Sequence, residues 1–320
     1  GDIKRVRDAD KKGRVYWLAA GEKSKTWNEV ERVLEWLVHN RVKRSESLAV
    51  IGGGTVLDTG LFAASIYQRG IRKWSIPTTL LATVDAGIGG KNGVNFMDFK
   101  NYIGPNTHSV LFVSDFRVLE TLSPQDVLNG WMEMTKHALI EDPVLWQSMK
   151  AFNCIPSIHE IHPLIAEAAK IKKRLVEADE FESGRRKTLN FGHTVAHALE
   201  SVAAARGEEL PHGTAVGIGM TFSLQWSAAQ SHDSTITNEL LEAAQCIKRW
   251  LTESAAGQVQ TATQAADIQS LWPFMEKDKK NDAQGVQEVR LTEIGRAEWN
   301  QPLTFEAFEA SWIKAVSSIS

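Results

Sequence analysis

Ser47-Leu-Ala-Val-Ile51, followed by Gly52-Gly-Gly54 and then the run from Val56 to Tyr67, is the stretch that decides the fold. The continuous apolar run predicts a strand, the glycine triplet a turn, and the apolar residues from Val56 onward a helix. A strand, a glycine turn and a helix N-terminus together offer backbone N–H groups and a helix dipole to a phosphate or pyrophosphate. The triplet lacks the GxGxxG spacing, and such triplets also serve simply to turn the chain, so the neighbouring segments decide its meaning.

Working outward, Arg14-Val-Tyr-Trp-Leu18 predicts a short strand, and Thr26 to His39 a helix with Val30, Val33, Leu34 and Leu37 at helical spacing. Lys73-Trp-Ser-Ile-Pro77 predicts another strand. In Ala86 to Asn95, glycines at 87, 89, 90 and 93 surround Lys91, a composition that lets backbone approach a ligand closely beside an ammonium; Lys100 and Asn101 close the segment. Val110 to Asp115 predicts the last strand of this half. Alternating strands and helices imply a mostly parallel sheet with helices on its faces, an α/β domain over residues 1–122.

From Ser123 the pattern changes. Ser123-Pro-Gln-Asp126 is a helix start, with an N-cap serine, proline at N1 and an acid in the first turn. Helices are predicted at Pro124–Ile140, Pro143–Phe152, Ile161–Ala178, Arg185–Ala204, Gly213–Ala229, Asn238–Leu251 and Phe305–Val316, with one half-buried strand from Gln287 to Ile294. Residues 123–320 therefore form a second, mainly helical domain. The Ala-, Gln- and Thr-rich segment Thr252–Gln269 carries no periodicity.

The 320 residues, 43% hydrophobic and 23% charged, are enough for two globular domains, each with its own core. A net charge of −3 and no basic stripe give no electrostatic case for nucleic acid and favour a small-molecule partner. Cys154 and Cys246 stand far apart, outside any CxxC spacing, which fits free thiols in a reducing compartment. No apolar run reaches the length of a membrane span, and the polar start is no signal peptide. A cytoplasmic protein without a membrane partner is expected.

Three of the nine histidines fall within Lys187–Val216. His193 and His197, four apart, share one helix face, and His212 begins the next apolar run; the pair suits either a metal or substrate site or a satisfied structural feature. Glu133, Lys136 and His137 share a face of an otherwise apolar helix bearing Met132, Met134 and Leu139. Glu and Lys at that spacing commonly form a solvated pair. A carboxylate buried there would need a cation, so Glu133 joins His193 and His212 as a candidate ligand. Two imidazoles and a carboxylate leave one tetrahedral position open, the catalytic rather than the structural pattern of zinc.

These segments resemble the 3-dehydroquinate synthase family of sugar-phosphate cyclases from about Trp17 to Trp299. The resemblance rests on Gly21-Glu22 with Lys25, Gly52-Gly-Gly54 with Asp58, Gln68-Arg-Gly70, Pro77 to Asp85, Gly89-Gly-Lys91, Lys100-Asn101 and Glu133 to Lys136. It continues through Lys172, Asp179-Glu180, Arg186 to His193, His197, Leu210-Pro-His-Gly213 and Asp278-Lys-Lys280. It implies a Rossmann-like NAD domain and a helical metal and substrate domain; with only Gly1–Gly13 before the first segment, the expectation is either an NAD domain shortened by truncation or an NAD pocket built differently. It also implies an NAD- and zinc-dependent lyase, with cobalt as an alternative metal, converting 3-deoxy-arabino-heptulosonate 7-phosphate to 3-dehydroquinate and phosphate.

Carried over by position, the metal ligands are Glu133, His193 and His212. Glu22, Lys25, Gly53, Gly54, Thr55, Asp58, Thr78, Thr79, Lys100 and Thr121 fall to the cofactor. Asp85 and Lys91 serve both cofactor and substrate, and Asn101, Lys136, Lys172, Arg186, Asn190, His197 and Lys279 or Lys280 surround the substrate. Arg69 matches a residue that reaches the phosphate in the neighbouring subunit, which implies a homodimer. Ala196 replaces the second glycine of the family's GH-x-x-GH pattern, and Leu61 stands where a glycine often follows Gly60.

Overall fold

The computed structural model describes residues 10–11, 13–97, 99–265, 267–277 and 285–317. The chain divides into two compact units, Gly1–Leu119 and Glu120–Ser320. The first contains α1 (Trp27–His39), β1 (Ser47–Gly52), α2 (Gly54–Ile66), β2 (Arg72–Pro77), the hairpin β3 (Val94–Phe96) and β4 (Phe99–Ile103), and β5 (Leu111–Phe112). The second contains α3 (Pro124–Glu141), α4 (Pro143–Lys150), α5 (Ile158–Ala178), α6 (His193–Ala205), α7 (His212–Gln230), α8 (Ser234–Ala265), α9 (Ile268–Glu276), β6 (Gln287–Glu293), β7 (Arg296–Pro302) and α10 (Phe305–Val316).

In the first unit β1, β2 and β5 form a parallel sheet in that order, with Ser47 opposite Arg72, Gly52 opposite Pro77 and Trp74 opposite Leu111. The register puts Val50 and Ser75 on one face, where α2 covers them. Gly60 makes this close approach possible, since a Cβ there would lie 2.7 Å from Val50. On the outer side of α2, Phe62, Ala63 and Tyr67 pack with Val30, Val33 and Leu37 of α1. Each large side chain buried this way stabilises the unit by about 1.5–3 kcal/mol. Thr26 caps α1 by accepting the Glu29 N–H at 3.3 Å. The opposite face of the sheet carries Ile51, Trp74 and Leu111, all exposed. Among the described residues, helices therefore cover one face, where the sequence pattern implied both.

Several sequence expectations change in the structure. Residues 14–18 form no strand; Tyr16 instead donates its hydroxyl to Glu29 at 2.6 Å and packs against Trp36, so its apolar character serves α1 rather than a ladder. The strand expected at 110–115 pairs only at Leu111–Phe112. The helix expected at 185–204 is split into a 3₁₀ turn, Arg185–Asn190, and α6, because Gly192 takes a left-handed φ of 77° between them. The helix at 238–251 extends to α8 and takes in most of the unperiodic 252–269 segment, with a kink at Ala255. The strand at 287 gains an antiparallel partner, β7.

In the second unit α3 and α7 are buried along most of their length, and α7 packs against α3, α6, α8 and α10. Among the described residues no helix is long and apolar enough to cross a membrane.

Candidate active site

Glu133 lies midway along α3 with its side chain fully buried, beside Lys136, whose ammonium pairs with Oε2 and is itself 2% exposed. His193 and His212 are the first residues of α6 and α7, so each imidazole enters at the start of a helix. Their Nε2 atoms stand 3.4 and 3.3 Å from Glu133 Oε1. Ligand atoms of the three residues all lie within 4.8 Å of one another.

Three backbone contacts bring these helices together. Gly213 donates its N–H to Asn129 Oδ1 at 2.9 Å, and a Cβ on Gly213 would lie 2.3 Å from the Asn129 Cα. A side chain there would push His212 off α3, one turn before Glu133. Gly219 meets the Gly192 carbonyl oxygen so closely that a Cβ would be 1.9 Å from it. Gly192 in turn has no room for a Cβ against Met220, and its left-handed backbone is one that other residues adopt at a cost.

The outer nitrogens fix the inner ones. His193 Nδ1 donates to the Phe191 carbonyl at 3.1 Å, and His212 Nδ1 donates to Glu200 Oε1 at 2.9 Å. When neutral, both imidazoles therefore present Nε2 lone pairs toward a carboxylate oxygen. Three acceptors facing one another are mutually repulsive without a cation between them, and the nitrogen, nitrogen, oxygen donor set fits zinc or cobalt.

The electrostatics agree. Burial pushes the Glu133 carboxyl up, but the Lys136 ammonium and the His193 imidazole outweigh it and hold it well below the usual carboxylate range. Burial opposes charge on His212, yet hydrogen bonds from its ring to Glu133 and Glu200 raise it to about 10. A proton on His212 thus occupies the role that suits a metal ion.

Around this centre, His197 lies one turn along α6, its ring 5.5 Å from that of His193 and nearly perpendicular to it. Lys172 and Arg186 are both buried. Asp179 accepts the N–H groups of Ser183, Gly184 and Arg186, and the Arg186 guanidinium donates to the Glu180 carbonyl at 2.6 Å. Asn190 donates to Glu182 and to the Lys187 carbonyl. Thr121 ends the 3₁₀ turn Phe116–Thr121. Lys279 and Lys280 lie outside the described residues.

In the first unit the glycine triplet turns β1 into α2, with Gly53 as N-cap and Gly54 as first helical residue. A Cβ on Gly53 would lie 3.0 Å from the Thr79 methyl, and Thr78 donates its N–H to the Gly52 carbonyl at 3.0 Å. Lys25 and Asp58 form a buried ion pair at 2.6 Å. Burial pushes the Asp58 carboxyl up to about 6, against the pull of the Lys25 ammonium. Glu22 accepts from Asn95 at 2.8 Å and from Thr55 at 3.3 Å. Asn101, at a φ of 50°, donates its N–H to Asn95 Oδ1 at 2.9 Å.

Asp85 lies on the π-helical turn Ala82–Ala86; Lys91, Lys100 and Arg69 are exposed, the last in the tight turn after α2. Asn95, Asn129 and Glu200 are the additions that the sequence patterns did not single out. A carboxylate in a largely buried helix three residues after His197 was the available signal for Glu200.

The family model described as 3-dehydroquinate synthase N-terminal matches residues 15–129, and that of 3-dehydroquinate synthase C-terminal matches residues 130–281. A 3-dehydroquinate synthase of Streptococcus thermophilus is 35% identical over 292 residues, 90% of this chain and 78% of that protein. The structure is similar to a 2-epi-5-epi-valiolone synthase from Streptomyces hygroscopicus subsp. jinggangensis solved with NAD+ and Zn2+, with a TM-score of 0.80 and 25% identity over 93% of this chain and 81% of that one. It shares its fold with a 2-deoxy-scyllo-inosose synthase solved with carbaglucose-6-phosphate, NAD+ and Co2+, at a TM-score of 0.80 and 20% identity over 98% and 87% of the two chains.

Proposed function

This chain belongs to the 3-dehydroquinate synthase family, and we propose that it converts 3-deoxy-arabino-heptulosonate 7-phosphate to 3-dehydroquinate and phosphate as an NAD- and divalent-metal-dependent lyase of the shikimate pathway. The observation that carries this reading is the convergence of Glu133, His193 and His212 on one point, in a chain matched by the family from residue 15 to residue 281. When bound, NAD supplies a reversible hydride acceptor, and zinc or cobalt supplies positive charge that polarises a hydroxyl.

The residues then divide the work. Glu133, His193 and His212 hold the metal, and Lys136 balances the charge of the buried carboxylate. The Gly53-Gly54 turn, with Glu22, Lys25, Thr55, Asp58, Thr78, Thr79, Lys100 and Thr121, receives the cofactor, the helix start favouring its pyrophosphate. Lys91, Arg69 and one of Lys279 or Lys280 pair with the dianionic phosphate, and Arg186 with Lys172 pairs with the carboxylate. Asp85, Asn101 and Asn190 orient hydroxyls of the substrate. His197 passes a proton to or from a substrate hydroxyl. With NAD bound as a reversible hydride acceptor, the loss of phosphate and the ring closure would proceed without net NADH. We further assign the Arg69 role to a homodimer, the domain boundary to residue 122, and the location to the cytoplasm, which the two free cysteines suit.

A coupled assay for 3-dehydroquinate tests the reading. Product should form without net NADH, cease with a chelator, and return with Zn2+ or Co2+. A heptulose 7-phosphate without the carboxylate is the control substrate, because it tests the pairing assigned to Arg186 and Lys172. Phosphate release from that substrate alone, or steady accumulation of NADH as in an alcohol dehydrogenase, would overturn the assignment.

A further inference from the structure

Lys73 is a buried cation that the proposed chemistry does not use. It sits on β2 at 4% exposure, on the sheet face covered by α2. Its ammonium bonds to Ser65 Oγ, to Thr107 Oγ1 at 2.5 Å and, at 3.5 Å, to the Leu61 carbonyl. Among the described residues these are neutral oxygens with no carboxylate in the set, and burial alone pulls the ammonium down to about 8. A folded pKa below the unfolded value of 10.5 means that this lysine costs stability in full below about pH 8, a cost that fades only as pH rises through 10.5. A methionine of similar reach would avoid that cost, so stability does not account for the lysine.

Thr107 shows what the cation holds. Its N–H donates to the Gly90 carbonyl at 2.8 Å, and its carbonyl accepts from Asn92 Nδ2 at 2.8 Å. The same Asn92 amide donates to Gly90 O at 3.0 Å. Thr107 thus clamps both neighbours of Lys91, and Lys91 itself bridges to Asn106. The segment being clamped is glycine-rich, with Gly89 and Gly90 at φ of 116° and 74°, so it has little stiffness of its own.

We propose that Lys73 is a positioning residue for the substrate loop: through Thr107 it ties the loop carrying Lys91 to α2 and β2 and sets where the Lys91 ammonium stands. This rests on the phosphate-binding role given to Lys91 above.

The test uses Lys73→Met, Thr107→Val, Lys91→Ala and the Lys73→Met/Lys91→Ala double variant of the full chain, read by steady-state kinetics, thermal melting and amide hydrogen exchange. Lys73→Met should melt at or above the wild-type temperature, yet raise KM for the sugar phosphate by about tenfold with less change in kcat, because a displaced anchor weakens binding of the phosphate. Thr107→Val, which keeps the buried lysine, should give the same KM change. The Lys73→Met effect should vanish in the Lys91→Ala background.

Amide exchange in residues 88–93 and 104–108 should quicken about tenfold in Lys73→Met and in Thr107→Val, independently of turnover. Unchanged exchange, or a Lys73→Met effect that adds fully to Lys91→Ala, would overturn the proposal. A Lys91→Ala variant with normal KM, alongside faster exchange in Lys73→Met, would instead overturn the role given to Lys91.

Discussion

Glu200 and Phe191 hold the two imidazoles by unequal means, a carboxylate for His212 and a backbone carbonyl for His193. A charged acceptor on Nδ1–H makes the opposite nitrogen a stronger donor to a metal, and removing such a partner typically lowers affinity ~10–100-fold. Glu200→Gln should therefore weaken metal binding by about that factor in a chelator-competition titration while leaving the fold intact, and unchanged affinity would refute the role. Asp58 carries a prediction with two signs. Its carboxyl, pushed by burial from 3.8 to about 6, makes the folded state take up a proton as pH falls through 6. That contribution to stability is present below pH 3.8 and lost as pH rises through about 6. With the Asp58 carboxylate as the proposed acceptor for the cofactor, NAD affinity should move the other way and fall below about pH 6. An NAD fluorescence titration between pH 5 and 8 checks this, with Asp58→Asn expected to be flat. Glu133 was legible in the sequence because a carboxylate among Met132, Met134 and Leu139 demands a cation. Glu200 was not, because its partner is 12 residues away across a turn that only the fold closes.

The long helices were legible as elements, since α1 and α10 each carry one apolar face, α3 and α7 are apolar nearly all round, and α1, α3 and α10 begin at a capping residue. The break before α6 was less so. Apolar spacing runs through Leu189, Val195 and Leu199, and the left-handed Gly192 that interrupts it also lies in close backbone contact with α7. Asn190-Phe-Gly192 held the clue, a turn composition directly before His193. The 252–265 segment became helical because Ala and Gln are good helix formers even where no regular face is marked. This contact yields the prediction proper to the element scale. Gly219→Ala would place a methyl 1.9 Å from the Gly192 oxygen, forcing α6 and α7 apart at the point where His193 enters. A loss of about 1–3 kcal/mol in stability is expected, together with metal content by atomic absorption well below one per chain. A variant with full metal content and wild-type melting would show that the helices separate without consequence.

At the scale of the whole molecule, the alternation of strand and helix up to residue 77 carried the parallel sheet, whereas Arg14–Leu18 misled because an apolar run reads alike whether it pairs in a ladder or packs on a helix. The candidate metal ligands were legible as chemistry, but their convergence came from glycines at 192, 213 and 219 whose necessity appears only when helices touch. The sheet face bearing Ile51, Trp74 and Leu111, 50%, 40% and 43% exposed, has a consequence for how the protein behaves in bulk solution. Water wets such a surface poorly, and salts excluded from protein surfaces raise the cost of leaving it bare. Light scattering during ammonium sulfate addition should therefore begin at a lower salt concentration than for Trp74→Lys, whose charge makes that face colloidally repulsive.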